Sequence, residues 1–169
     1  DLPAAIGAYY GALAGRGSQR RVICLAGDGS VMLNIQELQT IAQNRLPIKV
    51  IVLNNQGYLS IRSSQQNFFG RQTGAGPESG VTFPDFVAVA KAFGLPGCRL
   101  EGSRFEGDLA AWLNVDGPGF CEVILDGTQG FEPRMSSRQL EDGRIVTPPL
   151  EDMYPFLDRD ELSRNMLNS

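Results

Sequence analysis

Two short clusters carry the chemistry this sequence is equipped for. The first is Gly27-Asp28-Gly29-Ser30, directly after the apolar run from Arg21 to Ala26. Glycines on both sides of an aspartate let the main chain turn sharply and bring its N–H groups close to an anion. Ser30 adds a hydroxyl donor. An aspartate among phosphate-cradling amides repels a phosphate unless a cation stands between them. Mg²⁺ meets that need, because it takes octahedral oxygen coordination and shares one or two carboxylates with phosphate oxygens. The second cluster is Asn54-Asn55-Gln56-Gly57, after the run from Ile48 to Leu53. Asn55 brings a neutral amide oxygen, and Gly57 permits a turn in which a main-chain carbonyl faces the same ion. Asp28 and Asn55 are therefore the candidate side-chain ligands, with a main-chain carbonyl of the turn at Gly57 as a third.

The elements that must position these clusters follow from periodicity. Residues 2–16 are Ala-rich with apolar positions at helical spacing, and Pro3 suits a first turn. The continuous apolar run 21–26 reads as a buried strand. Asn34 and Glu37 have capping-box spacing, followed by one helical stripe of Ile35, Leu38, Ile41 and Ala42, which Pro47 ends. Residues 48–53, rich in β-branched side chains, give the next strand. The polar, glycine-rich stretch from Asn54 to Phe83 reads as a long connection, functional or mobile. A helix over 84–93, a short strand over 98–101, a capping box at Ser103 and Glu106, and a third apolar strand over 120–126 complete the pattern. Trp112, Phe105 and Leu109 at helical spacing read as core.

Strands alternating with helices imply an α/β fold, a doubly wound parallel sheet with helices on both faces. Ligands of such sheets sit at the carboxyl ends of the strands. A right-handed crossover would bring the end of the 48–53 strand beside the end of the 21–26 strand, so the two clusters should meet. Residues 1–169 read as one domain, with 127–169 a Pro- and charge-rich tail that wraps over the domain or a partner.

Composition narrows the classes. With 42% hydrophobic and 20% charged residues, the 169-residue chain is an ordinary globular one. A net charge of −4 carries no nucleic-acid footprint. No apolar run approaches a membrane span, and no signal peptide is visible. The absence of histidine removes Ser-His-Asp and Cys-His triads and argues against zinc. Cys24, Cys98 and Cys121 form no C-x-x-C pair and read as buried reduced thiols of a cytoplasmic protein. The start at Asp1, inside a helix-like run, reads as a piece of a longer polypeptide.

Rival readings of the glycines fail on specific positions. A dinucleotide fingerprint needs a third glycine where Met32 stands, and an acidic residue where Asn54 and Asn55 stand. A P-loop lacks its Gly-Lys-Ser/Thr, and an EF-hand lacks its following acidic ligands. Glu37 reads as a cap. Arg62, Arg71 and Arg134 read first as solvated side chains, although one in the long connection could meet a substrate carboxylate. Phe68-Phe69 reads as packing, with an apolar lid as the other reading.

Gly27-Asp28-Gly29-Ser30, followed after one helix and one strand by Asn54-Asn55, resembles the motif of thiamine-diphosphate (ThDP) enzymes. The Leu2-to-Ala8 segment and the stretch from Val52 to Tyr58 are similar to acetolactate synthases, and the likeness extends to Asp126. The tail around Pro148 to Met153 is similar to acetolactate-synthase-like proteins, some associated with polysaccharide biosynthesis. The resemblance implies the ThDP-binding fold, with Mg²⁺ on Asp28, the Asn55 side chain and the Gly57 carbonyl. It implies a diphosphate held around Gly27 by the amides of Gly29 and Ser30, a structural Asn54, and Tyr58 near the thiazolium and substrate. It implies a 2-oxo acid substrate, cleavage or formation of a carbon–carbon bond beside its carbonyl, and a homo-oligomer. It also implies that the activating glutamate belongs to a separate pyrimidine-binding domain, so this segment alone should be inactive. Two alternatives stay open, a 2-oxo acid decarboxylase and a non-catalytic assembly module of the same fold.

Overall fold

The computed structural model describes residues 1–16, 21–102, 105–130, 132–140 and 142–166. By its contacts the chain divides into two compact units, Asp1–Thr128 and Gln129–Ser169.

The first unit is built on four parallel strands: β1 (Val22–Gly27), β2 (Ile48–Asn54), β3 (Gly97–Leu100) and β4 (Gly119–Ile124), in the order β1-β2-β4-β3. β2 is central and suits that place, since Ile48, Val50, Ile51 and Val52 are buried and β-branched. Burying each such side chain contributes roughly 1.5–3 kcal/mol. Helices cover both faces. One face packs Leu2, Ala5 and Tyr9 of α1 (Leu2–Arg16), Leu38 and Ile41 of α3 (Glu37–Gln43), and Phe86 and Ala90 of α5 (Phe86–Ala92). The other packs Phe105, Leu109 and Trp112 of α6 (Phe105–Leu113) over β2, β3 and β4. This is the α/β architecture that the alternation of patterns predicts.

Four sequence expectations need correction. The 21–26 run is not buried on both faces: β1 is an edge strand, and its Ile23 and Leu25 are 51% and 63% exposed, because α6 does not reach over them. The Asn34–Glu37 capping box does not form. Asn34 lies in a turn, Gln36 precedes the helix without a side-chain cap, and the Glu37 carboxylate accepts the Thr40 hydroxyl at 2.8 Å. The helix also stops at Gln43, ahead of Pro47, with Arg45 at φ 50°. The stretch 54–83 contains an eleven-residue helix, α4 (Leu59–Phe69), ended by Gly70 in the left-handed conformation (φ 60°). α4 buries no residue, so it shows no apolar stripe for sequence periodicity to detect. The Ser103–Glu106 box lies outside the described residues, since Ser103 is not among them.

Within the second unit, β5 (Arg138–Gln139) and β6 (Ile145–Val146) form a small antiparallel ribbon, and α7 (Arg159–Asn165) follows. Arg134 and Tyr154 exchange both main-chain hydrogen bonds, and the Arg134 guanidinium lies 4.5 Å from the Tyr154 ring centroid. The buried Asp152 carboxylate accepts a bidentate pair from Arg159 at 2.7 and 2.9 Å. No described helix is long and apolar enough to cross a membrane.

Candidate functional site

The parallel register Ala26↔Val52 and Gly27↔Leu53 sets the ends of β1 and β2 side by side. At the β1 end the chain turns from Gly27 straight into α2 (Asp28–Met32), so Asp28 sits at the strand-to-helix junction and is only 2% exposed. Its carboxylate accepts two main-chain N–H groups: Gly29 at 2.6 Å through Oδ1, and Gly57 at 2.9 Å through Oδ2. The second bond spans the two clusters. Asp28 and the Asn55–Gly57 loop, 29 residues apart at that hydrogen bond, are in direct contact.

A carboxylate taken out of water needs charge compensation, because the bare ion loses several kcal/mol of hydration. Among the described residues no Lys or Arg lies within 4.0 Å of Asp28. The same residues hold no group of three His, Cys, Asp or Glu side chains placed to bind a metal ion together. A cation bound here would take its remaining oxygens from amides, carbonyls and its own anionic ligand, which is the donor chemistry of Mg²⁺.

The loop after β2 is held in one shape. Gln56 stands at φ 59°, a left-handed conformation uncommon outside glycine. Its N–H donates to the Asn54 side-chain oxygen at 2.9 Å. The Tyr58 N–H donates to the Ala75 carbonyl at 2.9 Å, and a side chain at Gly57 would collide with that same carbonyl. Gly57 is thus required by a close main-chain approach. Gly29 is crowded by a side chain instead: the Tyr58 ring lies where its Cβ would stand, so a larger residue there would have to displace the ring. Tyr58 then begins an aromatic series, edge-on to Phe83 at 6.0 Å, with Phe83 stacked on Phe86 and Phe86 on Phe120. A residue of the loop is so tied to the core.

The sequence-nominated residues therefore do meet: Gly27, Asp28, Gly29, Gly57 and Tyr58 form one contiguous patch. Two details differ from expectation. The Gly29 amide is engaged by Asp28, and the main-chain carbonyl of Asn55 accepts Arg62 Nη2 at 3.0 Å. The Asn55 side chain is half-buried and its amide bonds to no other described residue, while Ser30 is exposed.

A model of the family described as thiamine pyrophosphate enzyme, C-terminal TPP binding domain, matches residues 1–123. The chain belongs to that family. TPP, thiamine pyrophosphate, is thiamine diphosphate under its older name. The large subunit of acetolactate synthase isozyme 2 of Escherichia coli is 37% identical over 134 residues, covering 78% of this chain and 23% of the relative. The acetolactate synthase large subunit of Pyropia yezoensis is 39% identical over 126 residues, covering 74% and 20%. An X-ray structure of a Mycobacterium smegmatis protein assigned as thiamin diphosphate-dependent superposes with a TM-score of 0.57 at 31% identity, over 73% of this chain and 21% of that one. The chain thus spans about a fifth of the length of these relatives.

In this TPP-binding domain a second polar group, absent from the sequence reading, is built on the paired residues Arg99 of β3 and Glu122 of β4. Glu122, 2% exposed, accepts Asn54 Nδ2 at 2.7 Å and Arg99 Nε at 2.7 Å, and Arg99 also donates to Asp85 at 3.0 Å. The bond to Glu122 raises Arg99 above its ordinary value. The Ala88 N–H holds Asp85, the N-cap of α5, below the usual carboxylate range, with Arg99 adding to it. Asn54 joins the two regions through its two side-chain bonds. A glutamate inside the apolar run from Phe120 to Ile124 was the available signal, as was Lys49 inside β2. Lys49 is 1% exposed, its Nζ 5.0 Å from the Trp112 ring, and burial lowers its pKa. Cys98 and Cys121 face each other across β3 and β4, and burial pushes Cys121 up to about 12, which keeps it an unreactive thiol.

Proposed function

We propose that this chain grips the diphosphate of thiamine diphosphate through Mg²⁺, as one domain of an acetolactate-synthase-like enzyme acting on a 2-oxo acid. The observation that carries the reading is a buried Asp28 carboxylate joined to the Asn55–Gly57 loop with no side-chain cation beside it among the described residues. The donor set fits the ion: a carboxylate from Asp28, an amide oxygen from Asn55 and a carbonyl from Gly57 are all hard oxygens. Gly27 and Ser30 supply main chain that a diphosphate could approach closely, and the Gly29 amide would join them on leaving the Asp28 carboxylate that holds it here. Tyr58, whose ring lies against Gly29, would border the bound cofactor. When bound, ThDP supplies the carbanion chemistry next to the substrate carbonyl, while the protein contributes binding, orientation and exclusion of water.

The names of the relatives support carbon–carbon bond formation over simple decarboxylation, and a transferase or lyase of this cofactor is the reading that goes with it. The chain's share of their length favours further domains, including one that contacts the aminopyrimidine, and hence no turnover by this segment alone. Carboligation by the isolated segment would refute that last point. A homodimeric, cytoplasmic enzyme completes the reading, and the free thiols of Cys24, Cys98 and Cys121 accord with a reducing compartment. Mn²⁺, a paramagnetic stand-in for Mg²⁺, tests the ligand set by electron paramagnetic resonance in the presence of ThDP. Asp28→Ala and Asn55→Ala should each release the ion; a variant that holds Mn²⁺ at the parental level removes that residue from the set.

A further inference from the structure

The loop from Asn54 to Tyr58 is anchored group by group. The Asn54 carbonyl accepts the Leu125 N–H at 2.9 Å, the Gln56 N–H is held by Asn54 Oδ1, the Gly57 N–H by Asp28, and the Tyr58 N–H by Ala75. The Asn55 carbonyl has a different kind of anchor. It accepts Nη2 of Arg62, a side chain from the first turn of α4. The guanidinium runs between three main-chain segments. Its Nη1 lies 3.6 Å from where a Cβ would stand on Gly76 and, equally, on Gly127; a Cβ on Gly127 would also come within 3.1 Å of the Asn55 carbonyl. Nε is buried with no hydrogen-bond partner among the described residues. Among the described residues no carboxylate lies within 4.0 Å of Arg62, so this cation is spent on a carbonyl and on packing, with no ion pair.

We propose that Arg62 is a positioning residue for the Mg²⁺–diphosphate site, pinning the main chain of Asn55 so that the Asn55 amide oxygen and the Gly57 carbonyl are presented together. The inference rests on the reading of the site given above and adds a residue to it. A left-handed Gln56 between two ligands makes the need concrete, because such a conformation persists only where its surroundings over-determine it. With Arg62 removed, the carbonyl one residue before Gln56 is released while every other anchor of the loop survives. A lysine could reach the carbonyl with one N–H but cannot fill the planar gap between Gly76 and Gly127.

The test uses the full-length protein with Arg62→Met and Arg62→Lys, with Asp28→Ala as reference. Mg²⁺ is titrated calorimetrically at saturating ThDP, and the thermal melt is recorded without ligands. Arg62→Met should weaken Mg²⁺ binding by about 10-fold or more, the scale seen when partners that orient metal ligands are removed. The ligand-free melt should stay at the parental temperature. Arg62→Lys should lose about threefold or more on the same scale, and it decides the matter if the Met variant does not fold. Parental Mg²⁺ affinity in a folded variant overturns the assignment, as does a loss of affinity that only mirrors a lowered ligand-free melt. If Asp28→Ala also binds Mg²⁺ and ThDP like the parent, the site itself has been misread. If Asp28→Ala is defective and the Arg62 variants are not, only the role of Arg62 falls.

Discussion

Two carboxylates of the first unit are equally hidden from water, each 2% exposed, yet they are treated in opposite ways. Glu122, inside β4, is neutralised within the protein by Arg99 and steadied by Asn54. Asp28, at the end of β1, has main-chain N–H groups and nothing positively charged among its described neighbours. A protein that can place an arginine against one buried carboxylate has the means to do so for another. The contrast teaches that Glu122 is finished by the fold, whereas Asp28 is not, which is why the proposed function gives Asp28 a bound ion as its partner.

Breaking the Glu122 network should have the largest effect on stability. Glu122→Leu leaves Asn54 Nδ2 without an acceptor and Arg99 without its buried partner. Because Arg99 is half-exposed and water can reach it, the expected loss is about 3 kcal/mol, the low end for a severed buried pair. Urea unfolding would measure it, and a loss below about 1 kcal/mol would mean the pair is ordinary surface electrostatics. Gly57→Ala comes next. Its Cβ would press on the Ala75 carbonyl, and a main-chain obstruction cannot rotate away, so about 2 kcal/mol should be lost. Differential scanning calorimetry would detect this as a lowered Tm.

A pH series sharpens the network side of the comparison. Asp85 is held below its ordinary value by the Ala88 N–H and then by Arg99. A depressed carboxyl contributes its stability in full above the unfolded value of 3.8 and loses it as pH falls through the folded value. Asp85→Ala should therefore unfold more easily than the parent at neutral pH, with the gap closing as pH drops below 3.8. A gap that widens in acid would contradict the assignment. Smallest of all should be Asp28→Asn without ligands. It removes a buried charge, but the amide NH2 cannot accept an N–H, so one of the two main-chain bonds to Gly29 and Gly57 is lost. The two terms have opposite sign, so stability should move by less than about 1 kcal/mol.

The strand ends were legible because their signals are local. β-branched runs, Gly27 and Gly29 around Asp28, and paired asparagines after the next strand each announce themselves within a few residues. Adjacency of the clusters followed from the parallel crossover alone. What stayed hidden depends on contacts that periodicity does not encode. α4 buries nothing and so has no stripe, β1 reads as buried until the sheet order makes it an edge, and the Asn34–Glu37 spacing occurs in a turn that needs no box. Arg62 reads as one more solvated cation, because a carbonyl seven residues earlier leaves no mark in composition. Glu122 and Lys49 did leave a mark, a charge in the middle of an apolar strand, whose partners only the fold supplies.

The most direct measurement is a calorimetric titration of ThDP into the full-length protein, with Mg²⁺ and with the metal chelated, repeated on Asp28→Ala. The account predicts tight binding only when the metal is present, and loss of that binding in the variant. Equal affinity with and without Mg²⁺, or parental affinity in Asp28→Ala, would contradict it.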